Sequence, residues 1–148
     1  MIKDSALAEI TLRRYEKPYE LTERELIKKI CLSFGLLQEG DSRDVVVDVL
    51  FILIEASKLK KELSEEEIKN KVIDLRKSFK LEQKGIANSN IRRQLKRLRD
   101  ILLVEKVSTD YRIIDFLPLS EIFENKIEKF FIPQILERIK EYIKELEK

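Results

Sequence analysis

Residues 88 to 100 read NSNIRRQLKRLRD. Five bases, Arg92, Arg93, Lys96, Arg97 and Arg99, stand there against one acid, Asp100. Five minus one gives a local charge of +4, in a chain whose total is only +2. At about 100° per residue on a helix, Ile91, Leu95, Leu98, Ile101 and Leu102 gather on one side. The five bases fan over the other. One face is therefore suited to burial and the other to meeting negative charge. A guanidinium fork can bond guanine O6 and N7, an Asn amide can bond adenine N6 and N7, and an α-helix fits the major groove. Neighbouring bases hold phosphates and supply salt-dependent affinity. Asn88, Ser89 and Asn90 stand at the helix start, where free amides and the helix dipole favour an anion. A charged helix face is often merely solvated, but elsewhere this chain mixes signs, as in EIFENKIEKF and ERIKEYIKELEK. Only this face is single-signed and rich in arginine.

Other chemistries are poorly provided for. With no histidine, a Ser-His-Asp or Cys-His arrangement cannot be built and the commonest metal ligand is missing. The three glycines, Gly35, Gly40 and Gly85, are scattered and form no phosphate loop. Glu65, Glu66 and Glu67 are adjacent carboxylates at a helix start, where they complement the dipole. No enzyme, cofactor or metal site is expected. Cys31, the lone cysteine, lies between Ile30 and Leu32 in a helical pattern and reads as a buried small hydrophobe. Without an internal disulfide the chain suits the cytoplasm. The first ten residues, MIKDSALAEI, lack a signal peptide's apolar run. The longest apolar stretch, VVVDVLFILI, falls far short of the ~20 residues of a membrane span. Charged residues make up 39% of the chain, against about 25% in ordinary soluble domains. The excess is Lys and Glu, a composition of the kind found in hyperthermophile and archaeal proteins.

The elements around the basic segment follow from periodicity and caps. AEITLRRY, residues 8 to 15, reads as a short strand or an arm closed by Pro18. Thr22 with Glu25 forms a capping box before an amphipathic helix reaching Leu37. Asp41 or Ser42 is expected to cap the next helix, whose β-branched run from Val45 to Ile54 also fits a strand. Ser64 with Glu67 caps a third helix with acids first and bases last. After the basic helix, LLVEKV and YRIIDF flank STD and read as a β-hairpin. From Leu119 the pattern is helical to the end, interrupted at Pro133.

This order, helix, capped helix, basic helix and hairpin, resembles the winged helix-turn-helix family of transcriptional regulators over residues 43 to 116. RRQLKRLRDILLVEK is similar to a recognition helix running into the first wing strand. The resemblance implies a mostly α-helical fold with a two-stranded β-wing, to which the flanking patterns add an extra N-terminal helix and a C-terminal dimerisation helix. Three parts are expected: residues 1–42, an N-terminal arm and helix; 43–118, the winged helix-turn-helix domain; and 119–148, the dimerisation helix. Asn88, Ser89, Asn90, Arg92, Arg93, Lys96 and Arg97, with Arg99 on the same basic face, would meet double-stranded DNA. Lys106 and Arg112 would flank the wing. Two departures stand out. The link over residues 79 to 88 exceeds the three or four residues of a compact helix-turn-helix, and the wing tip, Ser108 to Asp110, carries an acid. A protein-interaction scaffold in a replication, segregation or transcription assembly is the alternative, since fold alone does not fix function. RNA is disfavoured by the lack of an aromatic RNA-binding motif.

At the C-terminus, Ile132, Ile135, Leu136, Ile139, Tyr142, Ile143 and Leu146 recur in steps of three and four. The stripe must pack, either on the helix of residues 26 to 37 or on a second copy of the chain. A homodimer would set two basic helices roughly 34 Å apart, one turn of DNA. The sequence names no small-molecule effector and no membrane partner.

Overall fold

The computed structural model describes Asp4, residues 9–10, 14–38, 40–41 and 43–148 of the 148. Most of the arm or strand expected at residues 8 to 15, and the candidate cap Ser42, lie outside the described residues. The chain divides into two compact units, Met1–Phe116 and Leu117–Lys148. It is mostly helical, with one small antiparallel sheet.

The first unit is built around α2 (Val45–Lys58), with α1 (Glu23–Ser33), α3 (Glu65–Ser78), α4 (Asn88–Asp100) and the hairpin packed about it. Val46, Val47, Val49, Leu50 and Leu53 of α2 are buried, so the helix is apolar on almost every side. That is why its β-branched run reads equally as a strand: a helix enclosed over most of its length needs no amphipathic period. Both capping boxes are present, Thr22 Oγ1 accepting from Glu25 N–H at 3.2 Å and Ser64 Oγ from Glu67 N–H at 3.2 Å. The cap of α2 differs from expectation. It is Asp44, which makes no side-chain bond to the helix amides, because its carboxylate is taken by two arginines.

Each of these four helices closes in the same way. A residue with positive φ follows the last turn, at Gly35 (70°), Lys60 (53°), Lys80 (57°) and Leu102 (62°). The next amide then reaches back, as in Leu36 N–H to Cys31 O at 2.9 Å and Leu81 N–H to Arg76 O at 2.8 Å. This is the Schellman closure, usually made with glycine. Here only one of the four uses it.

The sheet corrects the two-stranded expectation. Besides β2 (Val104–Val107) and β3 (Asp110–Ile113), a two-residue strand β1 (Leu63–Ser64) joins, in the order β1-β3-β2. Leu63 lies opposite Tyr111, and Val104 opposite Ile113. The third strand follows from the cap of α3. An N-cap is extended, Ser64 having φ −72° and ψ 163°, so the backbone leading into the helix already has a strand's shape. Asp110 belongs to β3 opposite Val107, which leaves a tighter tip of Ser108 and Thr109. Ser108 takes φ 59°, the sense a two-residue hairpin turn of matching twist demands.

The second unit is one helical run: α5 (Leu119–Ile122), a π-helical stretch (Phe123–Phe131) and α6 (Ile132–Leu146). Pro133 does not break it. The proline falls at the first turn of α6, directly after the wider π turns, where a missing amide and a bulky ring are tolerated.

Candidate nucleic-acid interface

α4 is held from within by Ile91, Leu95 and Leu98, all fully buried. A second row of side chains on the same helix is polar and also engaged. Asn90 Nδ2 donates to Gly85 O at 2.7 Å, and Gln94 Nε2 donates to Asn90 Oδ1 at 3.1 Å. Arg97 continues the ladder, Nη1 to Gln94 Oε1 at 2.9 Å and Nη2 to Gly35 O at 3.3 Å. Steps of four and three put these residues on one flank of the helix. Asn90 and Arg97, expected on the DNA face, thus use their polar atoms to fix α4 to the link before it and to the end of α1. Gly35 is required there twice over. Its φ is +70°, and a Cβ would stand 2.6 Å from Glu9 O.

The outward face carries Arg92, Arg93, Lys96 and Arg99, all exposed. Arg92 forks onto Glu65 of α3, Nε to Oε1 at 2.8 Å and Nη2 to Oε2 at 3.1 Å. That bond holds its guanidinium pKa above the ordinary value. Lys96 pairs with Asp100 at 3.1 Å. Both are exposed pairs of the kind worth little in water. Arg93 and Arg99 form no ion pair among the described residues. Asn88 and Ser89 stand exposed in the first turn, which has no side-chain cap.

The hairpin adds less charge than its sequence suggests. Arg112 is enclosed by Glu105 (2.7 Å), Glu62 (3.3 Å) and Asp115 (3.4 Å), with its guanidinium over Phe116 at 5.0 Å. The bond to Glu105 raises the Arg112 pKa. Burial pushes the Glu105 carboxyl up, but the Asp115 amide and Arg112 outweigh it and hold it low. Lys106 lies over the Tyr111 ring at 5.6 Å. It shares a groove of about 420 Å³ with Lys96 and Arg99, so the structure brings this hairpin base beside the end of α4.

The sequence reading missed what positions the long link of residues 79–87. Arg76, read as a base complementing the α3 dipole, is buried at 3% exposure, and Asp48 of α2 at 0%. Arg76 Nη1 donates to Asp48 Oδ2 at 2.6 Å and to Asp44 Oδ1 at 2.9 Å. Arg24 of α1 closes the cluster onto Asp48 at 3.0 Å and Asp44 at 3.1 Å. Burial pushes the Asp44 carboxyl up, but the bonds from Arg76 and Arg24 prevail and hold it below its usual value. Arg76 Nε also donates to Glu82 O at 2.8 Å, and Gln83 Nε2 to Ile73 O at 3.1 Å. The link is therefore bound to α3 before it turns into α4. The one available signal was Asp48, an acid in an otherwise apolar run.

In the second unit, Ile135, Leu136, Ile139, Tyr142, Ile143 and Leu146 are each about half exposed or more, and Ile132 is half-buried. Among the described residues there is no cluster of His, Cys, Asp and Glu able to hold a metal ion, and no helix is long and apolar enough to cross a membrane. Comparison with protein-family models, curated proteins and solved structures returned no match to this chain.

Proposed function

We propose that the chain binds double-stranded DNA by laying the outward face of α4 in the major groove, as a winged helix-turn-helix protein acting as a dimeric transcriptional regulator. The observation that carries this reading is Arg93 and Arg99, exposed and without an ion pair among the described residues. They stand on a helix whose opposite side is entirely buried. Groove recognition needs such a rigidly seated helix with free forks. The element order also supports it: helix, short strand, helix, basic helix and hairpin, with β1 paired to β3. Arg112 is engaged by carboxylates, so in this reading the hairpin offers Lys106 to a phosphate and does not probe the minor groove.

The second copy would meet the first through α6. Ile132, Leu136, Ile139, Ile143 and Leu146 follow steps of four, three, four and three, the heptad of a two-helix seam. Ile135 and Tyr142 widen it. A seam of aliphatic residues is self-complementary, as a two-fold interface requires. The decisive experiment is duplex binding by R93A/R99A at several salt concentrations. Affinity should fall at every salt, and the salt slope should drop by about 0.9 for each phosphate that is no longer neutralised. Wild-type affinity and slope in that variant refute the assignment.

A further inference from the structure

Between α4 with the link before it and the chain joining α1 to α2 lies a cleft of about 900 Å³, within the size range of about 300–1,000 Å³ usual for small-molecule sites. Arg43, Lys84, Arg93 and Arg97 line it, and Asp41 is the one carboxylate among its described lining residues. Arg97 is already fixed in place by Gln94 and Gly35. The side chains of Arg43 and Arg93 have no partner among the described residues. Among the described residues Lys84 pairs only with Glu82, a highly exposed carboxylate, at 2.8 Å. Excess positive charge set into a concave, poorly polarisable wall concentrates its field inside the cleft. α4 begins here without a side-chain cap, and Ser89 of its first turn stands in the wall.

We propose that this cleft binds a small phosphorylated ligand, a phosphate ester or nucleoside phosphate. Two guanidiniums and an ammonium of the lining are available to an anion, while the Asn90–Gln94–Arg97 ladder fixes Arg97 in the wall. The concavity favours a compact ligand over DNA, because a duplex is convex and one backbone phosphate would leave most of the space unfilled. A regulatory consequence rests on the DNA-binding reading: Arg93 belongs both to the cleft and to the outward face of α4, so ligand and duplex compete for it.

Isothermal titration of the full chain with pyrophosphate, at constant ionic strength in chloride and without DNA, tests the site itself. Saturable binding is expected, weakened about tenfold by R43A and again by R93A, since each removes a charge-assisted bond. K71A, exposed on α3 and not among the residues lining the cleft, should leave it unchanged, and unfolding midpoints should be those of the parent. No saturable heat, or parental affinity in R43A, overturns the proposal. Duplex titrations separate the two sources of phosphate. Retained duplex affinity in R43A, with competition by pyrophosphate, supports a free ligand. Duplex affinity lost equally in R43A and R93A, with no pyrophosphate saturation, makes the cleft a seat for DNA backbone and defeats the proposal. Saturable pyrophosphate binding by a chain that ignores duplex would sink the DNA reading and leave the site standing.

Discussion

Replacing Arg76 by Met removes three bonds at once, those to Asp44, Asp48 and the Glu82 carbonyl. Two carboxylates are then left with one guanidinium, Arg24, and one of them, Asp48, has no exposure to water. Breaking a buried pair from one side costs about 3–5 kcal/mol, a large part of the ~5–15 kcal/mol that holds a domain of this size. With a urea slope of about 1–3 kcal/mol/M, the midpoint followed by far-UV circular dichroism should fall by about 2 M. The companion variant D48L/R76M restores balance, leaving Arg24 with Asp44. It should be more stable than R76M although it carries an extra substitution, because well-packed apolar groups replace a buried pair at little cost. Strict additivity of D48L and R76M would refute the argument that stranded charge, and not lost packing, sets the penalty. Acid supplies an independent check. Asp44 titrates lower when folded than when unfolded, so its contribution is full above the unfolded value, about 3.9, and is lost as pH falls through the folded one. The parent should therefore lose stability below about pH 4 more steeply than R76M.

Three further outcomes are expected. Lys60→Gly and Lys80→Gly relieve left-handed residues at exposed helix ends, and each should raise stability by about 0.5–1 kcal/mol in urea titrations; a loss at both would contradict the closure described. Burial pushes the Cys31 thiol up to about 12, so a disulfide reagent at pH 8 should react only as fast as the protein opens, and rapid reaction with the native chain would disprove its enclosure. Ile139→Glu, in the middle of the exposed stripe, should turn a dimer into a folded monomer by sedimentation, and a parent chain that is monomeric at micromolar concentration rules out the second copy.

What could be read from the sequence was local. Thr22 with Glu25 and Ser64 with Glu67 signal helix starts within four residues, and both boxes formed. The buried face of α4 followed from spacing alone. Helix ends were harder, because Lys60, Lys80 and Leu102 occupy positions where glycine is the usual sign. Interactions across long separations left no trace in periodicity. Arg76 meets partners 28 and 32 residues away, and Arg97 meets Gly35 at 62, so from sequence Arg76 reads as a base complementing its helix dipole and Arg97 as part of the DNA face. The cleft beside α4 was invisible for the same reason, since its walls come from residues 36–45 and 84–97. β1 was hidden because two residues serve as strand and cap together.

The π-helical stretch has a consequence for how the last helix can be divided. Ile122 and Ile127 are buried and spaced by five, and Ile132 lies five further on. That is the rhythm of i→i+5 bonding, whereas beyond Ile132 the apolar steps return to three and four. The change of rhythm at Pro133 separates a stretch with two buried isoleucines from one whose apolar stripe is exposed, like two modules sharing an axle. A chain ending at Phe131 would keep the buried isoleucines and discard the exposed stripe whole. The upstream half is held where Ile122 and Ile127 are enclosed, whereas the downstream half keeps its apolar stripe in solvent.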